Sequence, residues 1–270
     1  MGVMPRSTAH DDVAVLTHDL GIAHARSSRS GDARAVDGVD LRIEPGGALV
    51  VMGAAGSGKS TLLSILAGDE SGDAAIVGGE GWVHGLALHK RGRTRRRLRF
   101  HVGYHAQKDG AELPPRLTVG DIIAEPVTSR DRRVNAHAMA LRSAALLDEL
   151  RLPLGIANKY PYELSAGMRQ RVAFARALVL EPKVFVADDP FANLATEIRP
   201  VVLEAIERRR RENSMTAVIA TNDADIAPAM RADVLVLQHG HPVAQGHHDA
   251  IHWSPSAVGF GVADAASTPL

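Results

Sequence analysis

Gly53-Ala54-Ala55-Gly56-Ser57-Gly58-Lys59-Ser60 decides the fold, because it fits the pattern G-x-x-x-x-G-K-[ST] and has the flanks that pattern requires. Before it, Ala48 to Met52 is a continuous apolar run of buried-strand length; after it, Ser60 to Ala67 has helical composition and stops at Gly68. Strand, glycine-rich loop and helix in that order predict a phosphate-binding turn. The glycines let the backbone curl until its N–H groups point inward at phosphate oxygens, and the helix N-terminus adds a favourable dipole. In such a loop Lys59 bridges the β- and γ-phosphates of ATP and Ser60 ligates Mg²⁺, with Thr61 among the nucleotide contacts.

Outward from the loop, β/α alternation resumes late in the chain. Lys183 to Ala187 and Thr216 to Ala220 are apolar runs of strand length, separated by a predicted helix over Val201 to Arg211. The first of them delivers Asp188 and Asp189 to a strand end, where a fold with this loop places its Mg²⁺-associated carboxylate. Asp188 is assigned that role; the alternative is a carboxylate pair that caps the next helix. Between the halves, Val119 to Leu150 is alanine- and leucine-rich with helical spacing, and Gly78 to Gly92 reads as a loop. The polar stretch from 25 to 34, ARSSRSGDAR, reads as an exposed hairpin loop inside an N-terminal strand region. After Ile251 the composition predicts a loose tail.

Tyr162-Glu163-Leu164-Ser165-Ala166-Gly167-Met168-Arg169-Gln170-Arg171 resembles the signature motif of the ABC ATPases, usually written L-S-G-G-Q. On elementary grounds Ser165 caps a helix while its hydroxyl and the Gly167 N–H face an anion. The resemblance covers about residues 13 to 251. It implies an α/β fold: a P-loop NTPase (RecA-like) core, an N-terminal antiparallel β subdomain and an inserted α-helical signature subdomain. One ABC ATPase domain would span 1–251, with the helical subdomain at about 112–170 and the tail at 252–270. In that family the signature, here Ser165, Ala166 and Gly167, binds the γ-phosphate held by the other subunit's loop. Gln107, in Val102-Gly103-Tyr104-His105-Ala106-Gln107, resembles the glutamine that contacts the metal or attacking water and relays nucleotide state to membrane subunits. Leu117 to Pro126 and Lys159 to Leu164 look like the oligopeptide and dipeptide permease branch. For the aromatic that stacks on adenine, His24 is the nearest candidate.

The sequence also departs from the family. Asp189 stands where a glutamate orients the attacking water, and it falls short by about 1.5 Å, a displacement that costs on the order of 100-fold where positioning matters. Asn222 stands for the switch histidine and cannot carry its proton or charge. Ala195 replaces the expected aspartate of the following loop, and Ala166 the first signature glycine. Each composite site would take its loop, carboxylates and switch residue from one subunit and its signature from the other. The departures therefore predict a heterodimer: this chain owns a weak site and lends its signature to a complete second cassette. Obligatory transmembrane permease subunits follow from the same resemblance. The alternative is a soluble ABC-type regulatory or assembly protein that binds ATP with little or no hydrolysis.

Composition sets limits on function. Thirty-one basic residues balance thirty-one acidic ones, so no global field steers the chain to nucleic acid or anionic lipid. Aromatic residues are 4% of the chain and scattered, which argues against a stacking platform for single strands, and no nucleic-acid partner is expected. No cysteine is present, which excludes disulfides and thiolate chemistry. Met1 to Val15 has no apolar signal region, and no stretch reaches the roughly 18 apolar residues of a span. The expectation is a cytoplasmic protein, held on the membrane's cytoplasmic face by permease subunits. Arg93 to Arg99 reads as a solvated basic face, and Arg208 to Arg211 as cations at a helix C-terminus. His239, His241, His247 and His248 suit a Gly/Pro-punctuated hairpin better than a metal site.

Overall fold

Strands that are apolar at every position need cover on both faces, and the runs found in the sequence receive it. In the computed structural model, which describes residues 12–24, 34–131 and 133–253, three of them are β3 (Ala48–Met52), β7 (Val184–Asp188) and β8 (Thr216–Ala220). They pair in parallel with one another and with β6 (Val102–His105) and β9 (Asp233–Gln238). β10 (His241–His247) and β11 (Ala250–Trp253) add antiparallel, giving seven strands in the order β11-β10-β9-β3-β8-β7-β6. Alternate residues enter different cores. Val50, Phe185, Ala187 and Ile219 face one cluster, while Leu49, Val51, Val184, Val186 and Val218 face the other.

The second cluster is shared with a four-stranded antiparallel sheet of β1 (Val15–His24), β2 (Val36–Ile43), β4 (Ala74–Val83) and β5 (Leu86–Ala87), in the order β2-β1-β4-β5. Helix α1 (Lys59–Ala67) buries Leu62, Leu63 and Leu66 in that shared core and ends at Gly68 in the left-handed region. The loop expected over Gly78 to Gly92 is therefore partly wrong. Strand β4 runs to Val83, and a turn leads into β5. Its glycines are there for close approach: a Cβ on Gly79 would lie 2.0 Å from the Asp19 carbonyl oxygen, at a register shift against β1. Strand β11 likewise carries order two residues past Ile251. Residues 25–33 of the hairpin and the tail from 254 lie outside the described residues.

Between β6 and β7 the chain forms α3 (Val119–Thr128), α4 (Ala136–Glu149) and α5 (Ala166–Leu178). Thr118 and Asn135 start the first two, accepting hydrogen bonds from the N–H groups of Asp121 and Ala138. Their apolar faces, with Ile122, Ile123, Leu146, Leu147, Val172 and Phe174, close over the first core. The basic run at 93–99 is mostly exposed on α2 (Arg93–His101), where Arg95 and Arg99 pair with Glu70. Arg208 to Arg211 lie near the end of α6 (Arg199–Asn213), as expected, but they also make specific contacts. Arg209 forks onto both oxygens of Glu149 at 2.6 and 2.9 Å and Arg208 adds 2.7 Å, tying α6 to α4. The histidine-rich C-terminal stretch includes a hairpin: β9 and β10 join through His239 and Gly240.

His105, at the end of β6, is fully buried. The Gln170 amide nitrogen of α5 donates to its Nε2 at 2.9 Å, and its Nδ1 has no hydrogen-bond partner, with an Asp109 oxygen 3.9 Å away. Burial pushes its pKa from the ordinary 6.5 down to about 4. The unfolded chain thus takes up this proton first. Stability is complete above pH 6.5 and falls as the pH drops toward 4, by roughly 3 kcal/mol at most from this group. Denaturant unfolding of the nucleotide-free protein should show that slope, and His105→Leu should flatten it whatever it does to stability at neutral pH.

Candidate functional site

The loop from Gly53 to Gly58 is pinned from beneath. A Cβ on Gly53 would lie 2.2 Å from the Leu237 carbonyl oxygen of β9, and one on Gly58 would lie 2.4 Å from that of Ala35. Both positions have positive φ, at 141° and 102°. Backbone contact and backbone conformation each require glycine at these two points. Gly56, also at positive φ, has nothing within 4 Å of the same construction, so the loop's outer edge is open.

That edge faces a cavity of ≈ 680 Å³. Ala55, Gly56, Gly58, Lys59, Ser60 and Thr61 line it, and so do Gln107, Asp188, Asp189 and Asn222, so β6, β7 and β8 deliver their predicted residues to one place. His24 also lines it, with its Nδ1 2.7 Å from an Asp73 carboxylate oxygen and its Nε2 3.4 Å from Thr61 Oγ1. Gly53, Ala54 and Ser57 do not line it: Ala54 is exposed elsewhere on the loop, and Ser57 Oγ is buried without a partner. Ser165, Ala166 and Gly167 do not reach the cavity. Ser165 caps α5, its Oγ accepting from the Met168 N–H at 3.2 Å, and Ser165 and Ala166 are exposed at the surface. Met168 stands at the glutamine of the motif as usually written, a departure the sequence reading passed over.

Lys59 Nζ donates to the carbonyls of Gly53 and Ala54 at 2.5 and 3.0 Å, which holds the ammonium over the loop. Burial raises the pKa of Asp188, while a hydrogen bond from Ser60 and the charge of Lys59 oppose the rise. A hydroxyl and a half-desolvated carboxylate in contact are the hard oxygen donors Mg²⁺ takes, and the loop's open edge suits phosphate. The residues fit MgATP. Asp189 follows with φ 50°, its N–H bonded to the Ala220 carbonyl at 2.8 Å. Its pKa is raised by burial and by Asp188, and drawn back by Lys59 and Arg199. Asn222 Oδ1 accepts from the Gly53 N–H at 3.1 Å, so this side chain braces the loop's first residue. Arg199 and Asp223 line the same cavity and were not among the residues read from sequence; each stands outside any pattern that spacing could single out.

The family described as ABC transporter matches residues 36–192, more than half of the chain. The chain belongs to the ABC transporter family. OppF of Salmonella typhimurium, an oligopeptide transport ATP-binding protein, is 32% identical over 82% of this chain and 66% of its own length. DppF of Pseudomonas aeruginosa, a di/tripeptide transport ATP-binding protein, is 32% identical over 89% of this chain and 73% of its own. OppD of Mycobacterium bovis is 34% identical over 83% of this chain but 36% of its own length, so the chain spans only part of such relatives. Among solved structures, the dimeric post-hydrolysis state of the ATP-binding cassette MJ0796 with ADP and Pi superposes with a TM-score of 0.77. That match has 24% identity and covers 87% of this chain and 98% of the other, and it shows the shared cassette fold.

Gly53→Ala should cost about 3 kcal/mol or more, since the methyl meets backbone and the φ is wrong for alanine, whereas Gly56→Ala should cost about 1 kcal/mol from φ alone. Thermal unfolding of the two variants side by side checks the order.

Proposed function

We propose that this chain is the ATP-binding subunit of an ABC importer, coupling ATP binding and hydrolysis to solute movement through separate membrane subunits. The observation that carries this reading is the convergence of Lys59, Ser60 and Asp188 on one open cavity with room for a nucleotide. Lys59 would hold the β- and γ-phosphates and loop N–H groups would orient them. Mg²⁺ would rest on Ser60 and Asp188, with Gln107 beside it; bound there, it supplies neutralisation of phosphate charge. Asp189 would orient the water that attacks the γ-phosphate, releasing ADP and phosphate. Among the described residues no helix is long and apolar enough to cross a membrane, so the solute path would belong to permease partners. Peptide is the solute class we assign, because OppF and DppF are named for oligopeptide and di/tripeptide transport.

The exposed Ser165 and Ala166, away from the cavity, suit a signature offered to a second cassette. Asp189, Asn222, Ala195, Ala166 and Met168 together favour a heterodimer, in which a complete partner performs most of the turnover. A second reading, an ATP-holding regulator, draws on Asn222, whose acceptor oxygen is already engaged by the loop.

Lys59→Ala should weaken MgATP binding at least tenfold by equilibrium titration. Asp189→Glu should raise phosphate release, by up to about 100-fold if reach alone limits this site. Affinity capture from gently solubilised native membranes should recover two transmembrane subunits and a second cassette with intact glutamate and histidine. Recovery with soluble partners only would favour the regulator.

A further inference from the structure

Among the residues lining the cavity, two side chains carry a permanent positive charge, Lys59 and Arg199, against three carboxylates, Asp188, Asp189 and Asp223. Lys59 donates to the Gly53 and Ala54 carbonyls on the loop side of the cavity, where it would meet the β- and γ-phosphates. Asn222, whose oxygen is occupied by the Gly53 N–H, has only a neutral amide nitrogen left to offer an anion. On the side of the cavity formed by the residues that follow β7 and β8, Arg199 is the one described lining residue with a permanent positive charge, so a terminal phosphate reaching that side would meet no other.

Its placement has no evident purpose for folding. Arg199 is the first residue of α6, where the helix dipole disfavours a cation. Its described ion pair is a single contact, Nη1 to Asp223 Oδ2 at 3.0 Å, with the two side chains 45% and 27% exposed. Exposed pairs of this kind are worth about 0–1 kcal/mol, so releasing the contact costs little. Asp223 is also secured elsewhere: its Oδ1 accepts from the Asp225 N–H and its own N–H donates to Thr221 Oγ1, each at 3.2 Å. The carboxylate would keep its place without Arg199. The guanidinium, with several donors uncommitted in a planar fork, matches the oxygens of a terminal phosphate better than it matches one carboxylate oxygen.

We propose that Arg199 is the triphosphate-sensing cation of this site, exchanging Asp223 for the γ-phosphate when ATP enters. The proposal rests on the reading of the cavity as an MgATP site. It assigns the preference for triphosphate over diphosphate to a residue on α6, and it places the helix's first turn under the control of nucleotide state. Where Asn222 brings no charge, Arg199 brings it from a different element.

The test is equilibrium binding of Mg·ATPγS and Mg·ADP to the full chain and to the Arg199→Gln, Arg199→Lys and Lys59→Ala variants, with thermal unfolding of each in the absence of nucleotide. We expect Arg199→Gln to lose about tenfold in ATPγS affinity while ADP stays within about twofold, and Arg199→Lys to lose an intermediate amount, about threefold, for ATPγS alone. Unchanged preference in Arg199→Gln would overturn the proposal, as would equal loss of both nucleotides. Should Arg199→Gln not fold, Arg199→Lys still decides: a bidentate contact predicts a partial loss confined to ATPγS, and full retention overturns it. The MgATP reading fails separately, and takes the proposal with it, if the native chain binds neither nucleotide or if Lys59→Ala binds as well as the native chain does.

Discussion

The contact between the phosphate loop and the strand beside it governs the rest of the molecule. Gly53 sits so close to the Leu237 carbonyl of β9 that no side chain fits, and Gly58 is held as tightly against Ala35 ahead of β2. The loop is thus clamped between the parallel sheet and the antiparallel one. Helix α1 leaves this clamp into the core the two sheets share, so its three buried leucines and the loop's geometry stabilise each other. Once α1 is fixed, the strand ends of β7 and β8 can only present Asp188, Asp189 and Asn222 toward the same opening.

Much of this was legible because the informative features are local. A buried parallel strand must be apolar throughout, so β3 and β8 were readable residue for residue, and β7 to within one residue. The loop pattern is contiguous, and the residues it nominates do converge. What escaped depends on non-local partners. Strand β4 reads as a loop because glycines at 78, 79 and 81 mimic a turn, while their actual purpose is close packing on β1 and neighbouring side chains. Arg199 looks like any helix-start residue until Asp223, twenty-four residues on, is seen beside it. The Gln170–His105 contact spans sixty-five residues and gives no periodic signal.

The same non-local contacts change the meaning of the departures from the family pattern. Asn222 is not simply a histidine lost: its oxygen braces the N–H of Gly53, at the tightest point of the clamp, so the residue contributes to the loop it faces. His105 and Gln170 connect the strand before Gln107 to the helix that carries the signature, and Gly110 is held so near Gln170 that an added Cβ would lie 2.4 Å from its amide oxygen. Packing therefore joins α5 directly to the segment that carries Gln107.

Asp189 shows how one backbone angle can favour a chemically poorer residue. At φ 50° it occupies the left-handed region, which aspartate enters more readily than longer side chains because its short carboxylate bonds locally. Glutamate would gain reach at the cost of more backbone strain. Burial and the neighbouring Asp188 already raise the pKa of Asp189, and Lys59 and Arg199 restrain it. The site therefore has a short carboxylate whose raised pKa two cations hold back, a neutral amide where charge could have been, and an arginine supplied from α6. Charge and reach are distributed around a loop whose Gly53 and Gly58 are fixed by the backbone they touch.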